Sequence, residues 1–279
     1  MSVRVSINLV VRNGEKYIRH CLDAINNQTY PGEFLQLNIL DNGSTDNTHE
    51  VINNFNFKVS NFKLIEIDNN LGMWPGQEEL LKHSEGKYVL AMAVDVLLDK
   101  NFIANAVKRM ESDGSVGALE AKIYRYEILN GNIQKTNYID TCGFQMFKSR
   151  RVINIGHGQE DRDQFGKKYE EIFGVEGAAP FFRRDALEDC RIKGELIDKD
   201  FFWYGDDLDL AWRMRLFGWK EVFDPQVVAW HDRQTTKTLK KSFADFVRLR
   251  RAIPIKKRGL DWRNTRWTII KNDYIINIL

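Results

Sequence analysis

Leu35-Gln36-Leu37-Asn38-Ile39-Leu40-Asp41-Asn42-Gly43-Ser44-Thr45-Asp46-Asn47-Thr48 decides the fold. Leu35, Leu37 and Ile39 alternate with Gln36 and Asn38 and run out on an acid, which reads as a β-strand. Gly43 allows a tight turn, and Ser44, Thr45 or Asp46 can cap a helix carrying Val51, Ile52 and Phe55. In open α/β sheets ligands collect at the carboxyl ends of strands, where Asp41 could accept hydrogen bonds from a nucleobase or sugar. Turn chemistry alone would explain the same composition.

Towards the N-terminus, Val3, Val5, Ile7 and Leu9 alternate and lead into Val10-Val11, a strand buried on both faces that stops at Arg12-Asn13-Gly14. Tyr17, Cys21, Leu22 and Ile25 then form a helical face, ended by Thr29-Tyr30-Pro31-Gly32. Towards the C-terminus, Phe62 to Ile67 reads as a third strand, followed by Asn69-Asn70-Leu71-Gly72 and a helix through Leu80 and Leu81 with Pro75 in its first turn. Lys87 to Val94 is a nearly continuous apolar run, a central strand that delivers Asp95 to the sheet edge. Asp99 caps the helix carrying Phe102, Ile103, Ala106, Val107 and Met110. Strands alternating with helices predict a parallel α/β sheet.

The middle of the chain says less. Val116 to Ile123 can be another strand, while Ile139 to Phe147 with Val152 to Ile155 suggests a small hairpin. His157 and the charged run Glu160 to Asp163 are expected on a solvated loop over the site. Phe173 to Leu187 brings a Gly/Ala turn, an apolar strand and the pair Arg183-Arg184 ahead of a helix. Then Asp200-Phe201-Phe202-Trp203-Tyr204-Gly205 precedes Asp206, Asp207 and Asp209, three carboxylates within four residues, and Leu208, Ala211, Trp212, Leu216 and Phe217 recur at helical spacing. Either the acids simply favour a helix N-terminus, or one caps while its neighbour faces a pocket. Val222 to Pro225 and Val227 to His231 read as a closing strand pair.

At 279 residues the chain can be one large α/β domain with appendages or two small ones. Hydrophobic content of 43% and charged content of 29% suit a globular protein, and no run approaches the roughly 20 apolar residues of a membrane span. The N-terminus lacks a signal peptide's apolar block, so the expected location is cytoplasmic. Cys21, Cys142 and Cys190 show no CxxC spacing, which argues against a disulfide framework or structural zinc. A net charge of +2 does not by itself imply nucleic-acid binding, but Lys237 to Lys271 is rich in bases.

Several of these blocks, in this order, resemble family 2 glycosyltransferases, particularly the rhamnosyltransferase-like branch. Strand–DNGSTD–helix resembles that family's nucleotide-sugar-binding start, Asn70-Leu71-Gly72 its Asn-x-Gly turn, Gly177-Ala178-Ala179 with Arg183-Arg184 its small-residue block, and Asp206-Asp207-Leu208-Asp209-Leu210 with Arg213 its acidic base-bearing segment. The resemblance implies the GT-A architecture, a Rossmann-like, mostly parallel central sheet flanked by helices. It divides the chain into a glycosyltransferase domain, 1–235, and a basic, aromatic, helical C-terminal extension, 236–279.

The activity implied is inverting transfer of a sugar from a nucleotide-diphosphate donor to a hydroxyl of a saccharide or glycan acceptor, as in polysaccharide biosynthesis. Asp207 is the implied general base, with Asp206 and Asp209 holding the segment in place. Implied donor contacts are Val11, Asn13, Asp41, Asn70, Gly72, Ala93 and Asp95; implied acceptor contacts are Gly177, Ala178, Trp203 and Asp206. A divalent metal, Mn²⁺ or Mg²⁺, would sit on Asp95 and His231, where phosphate oxygens and water complete its shell. The branch suggests dTDP-rhamnose as donor.

Two departures stand out. Ala93 fills a position where the family usually has a polar residue, and Met73-Trp74-Pro75-Gly76-Gln77 replaces its usual small residues. These suggest the alternative of a non-catalytic nucleotide-sugar-binding or scaffold protein on the same fold. The basic arm, Leu239 to Arg251 and Trp262 to Lys271, suits peripheral contact with the inner face of an anionic membrane, or equally packing on the domain or in a homodimer. No nucleic-acid module accompanies it.

Overall fold

The computed structural model describes residues 4–166, 170–201, 204–233 and 255–273. Val3, Trp203 and the basic run Leu239 to Arg251 lie outside them.

The first half builds a parallel sheet, as the strand–helix alternation predicts. β1 (Val5–Val11), β2 (Leu35–Asn42), β3 (Asn61–Ile67) and β4 (Tyr88–Ala93) alternate with α1 (Ile18–Asn26), α2 (Thr48–Asn53) and α3 (Met73–Leu81). β1 pairs in parallel with both β2 and β4, and β2 with β3. In register, Val11 stands opposite Asp41, Val10 opposite Ala93, and Asp41 opposite Glu66. The strand ends are therefore nearly flush, and the loops that follow them share one edge of the sheet.

The second half extends the sheet on the β4 side. β5 (Val96–Leu98), α4 (Phe102–Ser112), β6 (Val116–Leu129), β7 (Asn132–Thr141), β8 (Phe144–Met146), β9 (Val152–Asn154), β10 (Glu170–Glu171), β11 (Phe181–Arg183), α5 (Arg184–Asp189), α6 (Asp206–Leu216), β12 (Lys220–His231) and α7 (Ile255–Asn272) follow in turn. The order across the sheet is β10-β12-β6-β11-β4-β1-β2-β3. β11 runs antiparallel to both neighbours, whereas β12 is parallel to β6. β8 and β9 form a hairpin as a separate two-stranded sheet, shorter than expected because Ile139 to Thr141 belong to β7 in the main sheet.

Three local expectations are corrected. The two closing strands are one strand, β12, whose register shifts between Asp224 and Val228. Pro225 explains the break, because it has no N–H to give the ladder. The central strand stops at Ala93, so Asp95 sits in the turn between β4 and β5. The loop around His157 is anchored at one point: the half-buried Asp161 lies 2.9 Å from Lys122 and accepts from Tyr124 at 2.5 Å, while Arg162 and Asp163 are exposed as expected.

Helices cover both faces. Ile18, Cys21, Leu22 and Ile25 of α1, Ile52 of α2, and Phe102, Ile103 and Met110 of α4 pack with β1 and β2 in one core. Trp74 and Leu81 of α3, Ala186 and Leu187 of α5, and Leu210 and Met214 of α6 form another with Phe182. Each fully buried Leu, Ile or Phe stabilises the fold by about 1.5–3 kcal/mol, so these faces fix the strands whose ends carry the polar loops.

α7 docks through a polar stripe. Asn264, Thr268 and Asn272, four residues apart and therefore on one helical face, are all buried. Asn272 Nδ2 donates to Asp209 at 2.8 Å, and Lys271 Nζ lies 3.2 Å from the same carboxylate. Asp209 is also paired with Arg213 one turn along α6 at 3.0 Å.

Candidate active site

β5 places two of the expected residues face to face. Its antiparallel register sets Val96 opposite His231, so Asp95, one residue earlier, meets the imidazole with Oδ2 3.4 Å from Nε2. The Asp232 N–H donates to the Asp95 carbonyl at 3.1 Å and closes the corner. On the other side of the ring, His231 Nδ1 lies 2.9 Å from Asp140 Oδ2.

Asp140, absent from the expected site residues, is the centre of this region. It is fully buried at the end of β7 and meets Arg233 at 3.0 Å and Arg125 at 3.6 Å, while its carbonyl lies 2.7 Å from His157 Nδ1. Burial alone would raise its pKa, but Arg233 and His231 hold the carboxyl well below the usual range. For His231, burial disfavours the imidazolium, yet Asp95 and Asp140 outweigh it and lift the pKa to about 10. Without a cation the ring is therefore a charged bridge between two carboxylates.

Asp207 lies across the cavity. Gly205, at φ 88°, and Tyr204, at φ 67°, turn the chain through the left-handed region directly before α6. Asp207 then falls in the first helical turn, with Oδ1 accepting the Leu208 N–H at 2.9 Å and Oδ2 the Gly177 N–H at 3.2 Å. A Cβ on residue 177 would stand 3.2 Å from Asp207 Oδ2 and 3.3 Å from Trp74 Nε1, so glycine permits this approach. Burial, and then the neighbouring Glu176, raise the Asp207 pKa to about 6. Asp206 is buried and does not border the cavity; burial and the charge of Asp207 push it to about 7.

Glu176 joins the two halves. Its carboxylate pairs with Arg233 and accepts the Ala178 N–H at 3.0 Å, while the Ala178 carbonyl accepts the Ala93 N–H at 3.0 Å. Two buried glutamates brace the loop from below: Glu120 accepts the Glu176 N–H at 2.5 Å and Glu221 the Val175 N–H at 2.9 Å. A cavity of about 1130 Å³ is bordered by Asp95, Glu176, Asp207, His231 and Arg233, and is walled further out by the β8–β9 hairpin and α7.

The other expected donor contacts occupy the edge beyond β1 and β2. The Val11 side chain is buried in the core, leaving its main chain to the edge. Asn13 ties its loop to the next, its Oδ1 accepting the Thr45 N–H at 2.7 Å. Asp41 accepts the Ser44 N–H at 2.9 Å through Oδ1, so half of the carboxylate serves the turn. Asn70 accepts from Gly72 at 2.9 Å and from Asn42 at 3.0 Å, and Asn42 itself accepts the Leu71 N–H at 2.8 Å. Asn42 was missed, although it stands beside Asp41 in the same motif.

Among the described residues no three His, Cys, Asp or Glu side chains gather as a metal cluster. Asp95 and His231 nonetheless fit a divalent cation that takes its remaining ligands from a diphosphate and water. The Nδ1–Asp140 contact fixes the ring with Nε2 towards Asp95, as outer-shell carboxylates do for metal-binding histidines.

Comparison with known proteins identifies the family. The family model described as Glycosyl transferase family 2 matches residues 6–191. The chain belongs to glycosyl transferase family 2.

The domain is 22% identical over 228 residues to the poly-beta-1,6-N-acetyl-D-glucosamine synthase of Staphylococcus epidermidis, covering 81% of this chain and 49% of that protein. The chain thus spans about half the length of that curated relative. TarS of Staphylococcus aureus, a poly(ribitol-phosphate) beta-N-acetylglucosaminyltransferase, is 28% identical over 106 residues, or 37% of this chain and 18% of TarS. Its 1–349 fragment in complex with UDP superposes with a TM-score of 0.63 at 17% identity, over 98% of this chain and 67% of that one. The mannosyltransferase PcManGT of Pyrobaculum calidifontis, in complex with GDP-Man and Mn²⁺, gives 0.59 at 19% identity, over 90% and 61%. The fold of this family 2 domain is accordingly GT-A. Among its described residues no helix is long and apolar enough to cross a membrane.

Proposed function

We propose that this domain is an inverting glycosyltransferase that moves a sugar from a nucleotide-diphosphate donor to a hydroxyl of a saccharide acceptor. The observation that carries the reading is that Asp95, His231 and Asp207 border one cavity, with the Asp207 pKa raised to about 6. A carboxylate of that basicity is ionised at neutral pH and a better proton acceptor than an ordinary aspartate.

In the proposed reaction the acceptor oxygen attacks the anomeric carbon from the face opposite the diphosphate. The new C–O bond forms as the bond to the diphosphate breaks, and the hydroxyl proton passes to Asp207. The Gly177 N–H, 3.2 Å from Asp207 Oδ2, orients the carboxylate. A divalent cation held by Asp95 and His231 would neutralise charge developing on the leaving diphosphate. Asp140 holds the imidazole, and Asp41 and Asn70 are proposed at the nucleoside end of the donor.

The named relatives favour UDP-N-acetylglucosamine over the dTDP-rhamnose suggested by the branch resemblance. Two are named for N-acetylglucosamine transfer or polymerisation, and a structural neighbour holds UDP. Thermal unfolding with UDP, GDP, dTDP or CDP, each with and without Mn²⁺ or Mg²⁺, tests this. Ligand at about 100 times its dissociation constant should add roughly 2.7 kcal/mol, a readable shift. A metal-dependent shift with UDP is expected, dTDP alone would restore rhamnose, and silence from all four would favour the non-catalytic alternative.

A further inference from the structure

The cavity that contains Asp207 has a wall that the transfer chemistry does not use. Arg150 and Arg151 from the β8–β9 turn and Arg258 and Arg266 from α7 border it, together with Trp262. The turn is tied to the helix, since Arg150 donates to Asp273 at 3.0 Å through its second guanidinium nitrogen.

Charge pairing along this wall is incomplete. Arg150 is engaged by Asp273, and Arg233, deeper in, by Asp140 and Glu176. Arg151 and Arg258 make no ion pair with any described residue, and Arg258 Nε is buried with no hydrogen-bond acceptor. Arg266 lies 3.7 Å from the Trp262 ring centre and otherwise meets only that residue's carbonyl, at 3.1 Å. Asp261 is the one acid that the described part of α7 brings to the cavity. Arg151 and Arg266 are exposed and Arg258 is half-buried, so the desolvation cost of an unanswered guanidinium nitrogen falls on Arg258 Nε alone; all three offer a planar fork suited to phosphate or carboxylate.

We propose that the acceptor is a chain bearing repeated anionic groups, held by Arg151, Arg258 and Arg266 beside Trp262 while one of its hydroxyls meets Asp207. This rests on the transferase reading above and names the acceptor class for the same site. The donor diphosphate is not the anion these arginines await. They stand on the β8–β9 turn and α7, whereas the expected donor contacts lie on the loops after β1, β2, β3 and β4. Trp262, 60% exposed, presents an apolar face on which a sugar or polyol unit can lie between two charges. Phosphodiester and carboxylate polymers share the required chemistry.

The full chain with saturating UDP and Mn²⁺ is titrated with a glycerol-phosphate oligomer, with polygalacturonate and with neutral chitohexaose, each at low and high NaCl. An anionic polymer is expected to bind most tightly and to weaken as salt rises. Whichever of the two binds better identifies phosphate or carboxylate as the recognised group. Arg151→Ala and Arg258→Ala should each weaken that binding about tenfold, as loss of one hydrogen bond to a charged group does, with UDP affinity unchanged. Chitohexaose binding as tightly as both anions, or anion binding indifferent to both substitutions, would overturn the proposal. Weakened UDP binding in the variants would also overturn it, by assigning the arginines to the donor. If UDP itself fails to bind wild type, the transferase reading has failed first, and the two failures are thereby distinguished.

Discussion

The Gly177 N–H donates to Asp207 Oδ2 at 3.2 Å across 30 residues of chain, so the small-residue turn and the acidic segment form one device. The turn is braced in its own right, through the Glu120 and Glu221 side chains beneath it and Glu176 beside Arg233. Asp207 is therefore oriented by a backbone group that cannot swing away without moving a buried network.

Asp207→Asn keeps this geometry and removes the proton acceptor. Transfer should fall by about 10²–10⁴-fold, with UDP affinity nearly unchanged in a calorimetric titration. Because wild-type Asp207 titrates at about 6 and must be ionised to act, kcat/KM should fall about tenfold per pH unit below that value and level off above it. Near wild-type turnover in the variant would remove Asp207 from the chemistry.

Asp95→Ala should weaken UDP binding in Mn²⁺ and leave the residual affinity in EDTA little changed. Asp140→Asn, which does not touch the cation, should lower apparent Mn²⁺ affinity about 10–100-fold, as loss of an outer-shell partner does. Both effects can be read as the Mn²⁺ dependence of a UDP-induced melting shift. An unaltered dependence in Asp95→Ala would place the cation elsewhere.

Glu221 gives a stability prediction with a definite sign. Burial raises its pKa from 4.5 to about 8, so the native protein holds a proton that the unfolded chain releases. Its contribution is fully present below pH 4.5 and is lost as pH rises through about 8. Glu120 shifts in the same direction, also chiefly through burial. Glu221→Gln should flatten the decline in melting temperature between pH 5 and 8, and a slope as steep as wild type would show that Glu221 is ionised in the native state.

Asn264 is buried on α7, and its Nδ2 donates to the Phe201 carbonyl at 3.0 Å and to the Tyr204 carbonyl at 2.6 Å, just before the left-handed turn into Asp207. Asn264→Ala should cost about 1–3 kcal/mol in denaturant unfolding, because it removes the Tyr204 carbonyl's bond to Asn264 and leaves the Phe201 carbonyl only the Arg263 donor at 3.3 Å. As a positioning residue it should lower kcat more than it raises the KM for donor. A stability loss with unchanged kcat would reduce its role to packing.

The sequence was most legible where local chemistry and period agree. β1 and β2 read correctly because apolar residues alternate with Ser6 and Asn8 in one and with Gln36 and Asn38 in the other, β4 because it is apolar on both faces, and the Asp41 turn because its residue types match its geometry. β7 escaped because its first half is exposed and polar, with no apolar alternation to betray a strand. Asp140 escaped because its partners His231 and Arg233 lie 91 and 93 residues away, although an acid between Ile139 and Thr141 in a buried run was a hint. Glu120 and Glu221 carry the same hint, a lone acid within apolar strand sequence, and periodicity assigns such residues no role. α7 docks by Asn264, Thr268 and Asn272, so a search for an apolar face looks for the wrong stripe.

The contacts of α7 also bear on how this protein can be cut. The family match ends at residue 191, yet Asp207 lies 16 residues later and the side chains clasping its segment run to Asn272. A fragment trimmed to the matched range would retain the sheet edge proposed for the donor and lose the proposed base. One ending at residue 235 would retain Asp207 but expose Asp209 and the Phe201 and Tyr204 carbonyls that α7 covers. Shortened versions made for crystallisation or screening therefore need their C-terminal boundary beyond residue 273 to keep the contacts that hold the Asp207 segment.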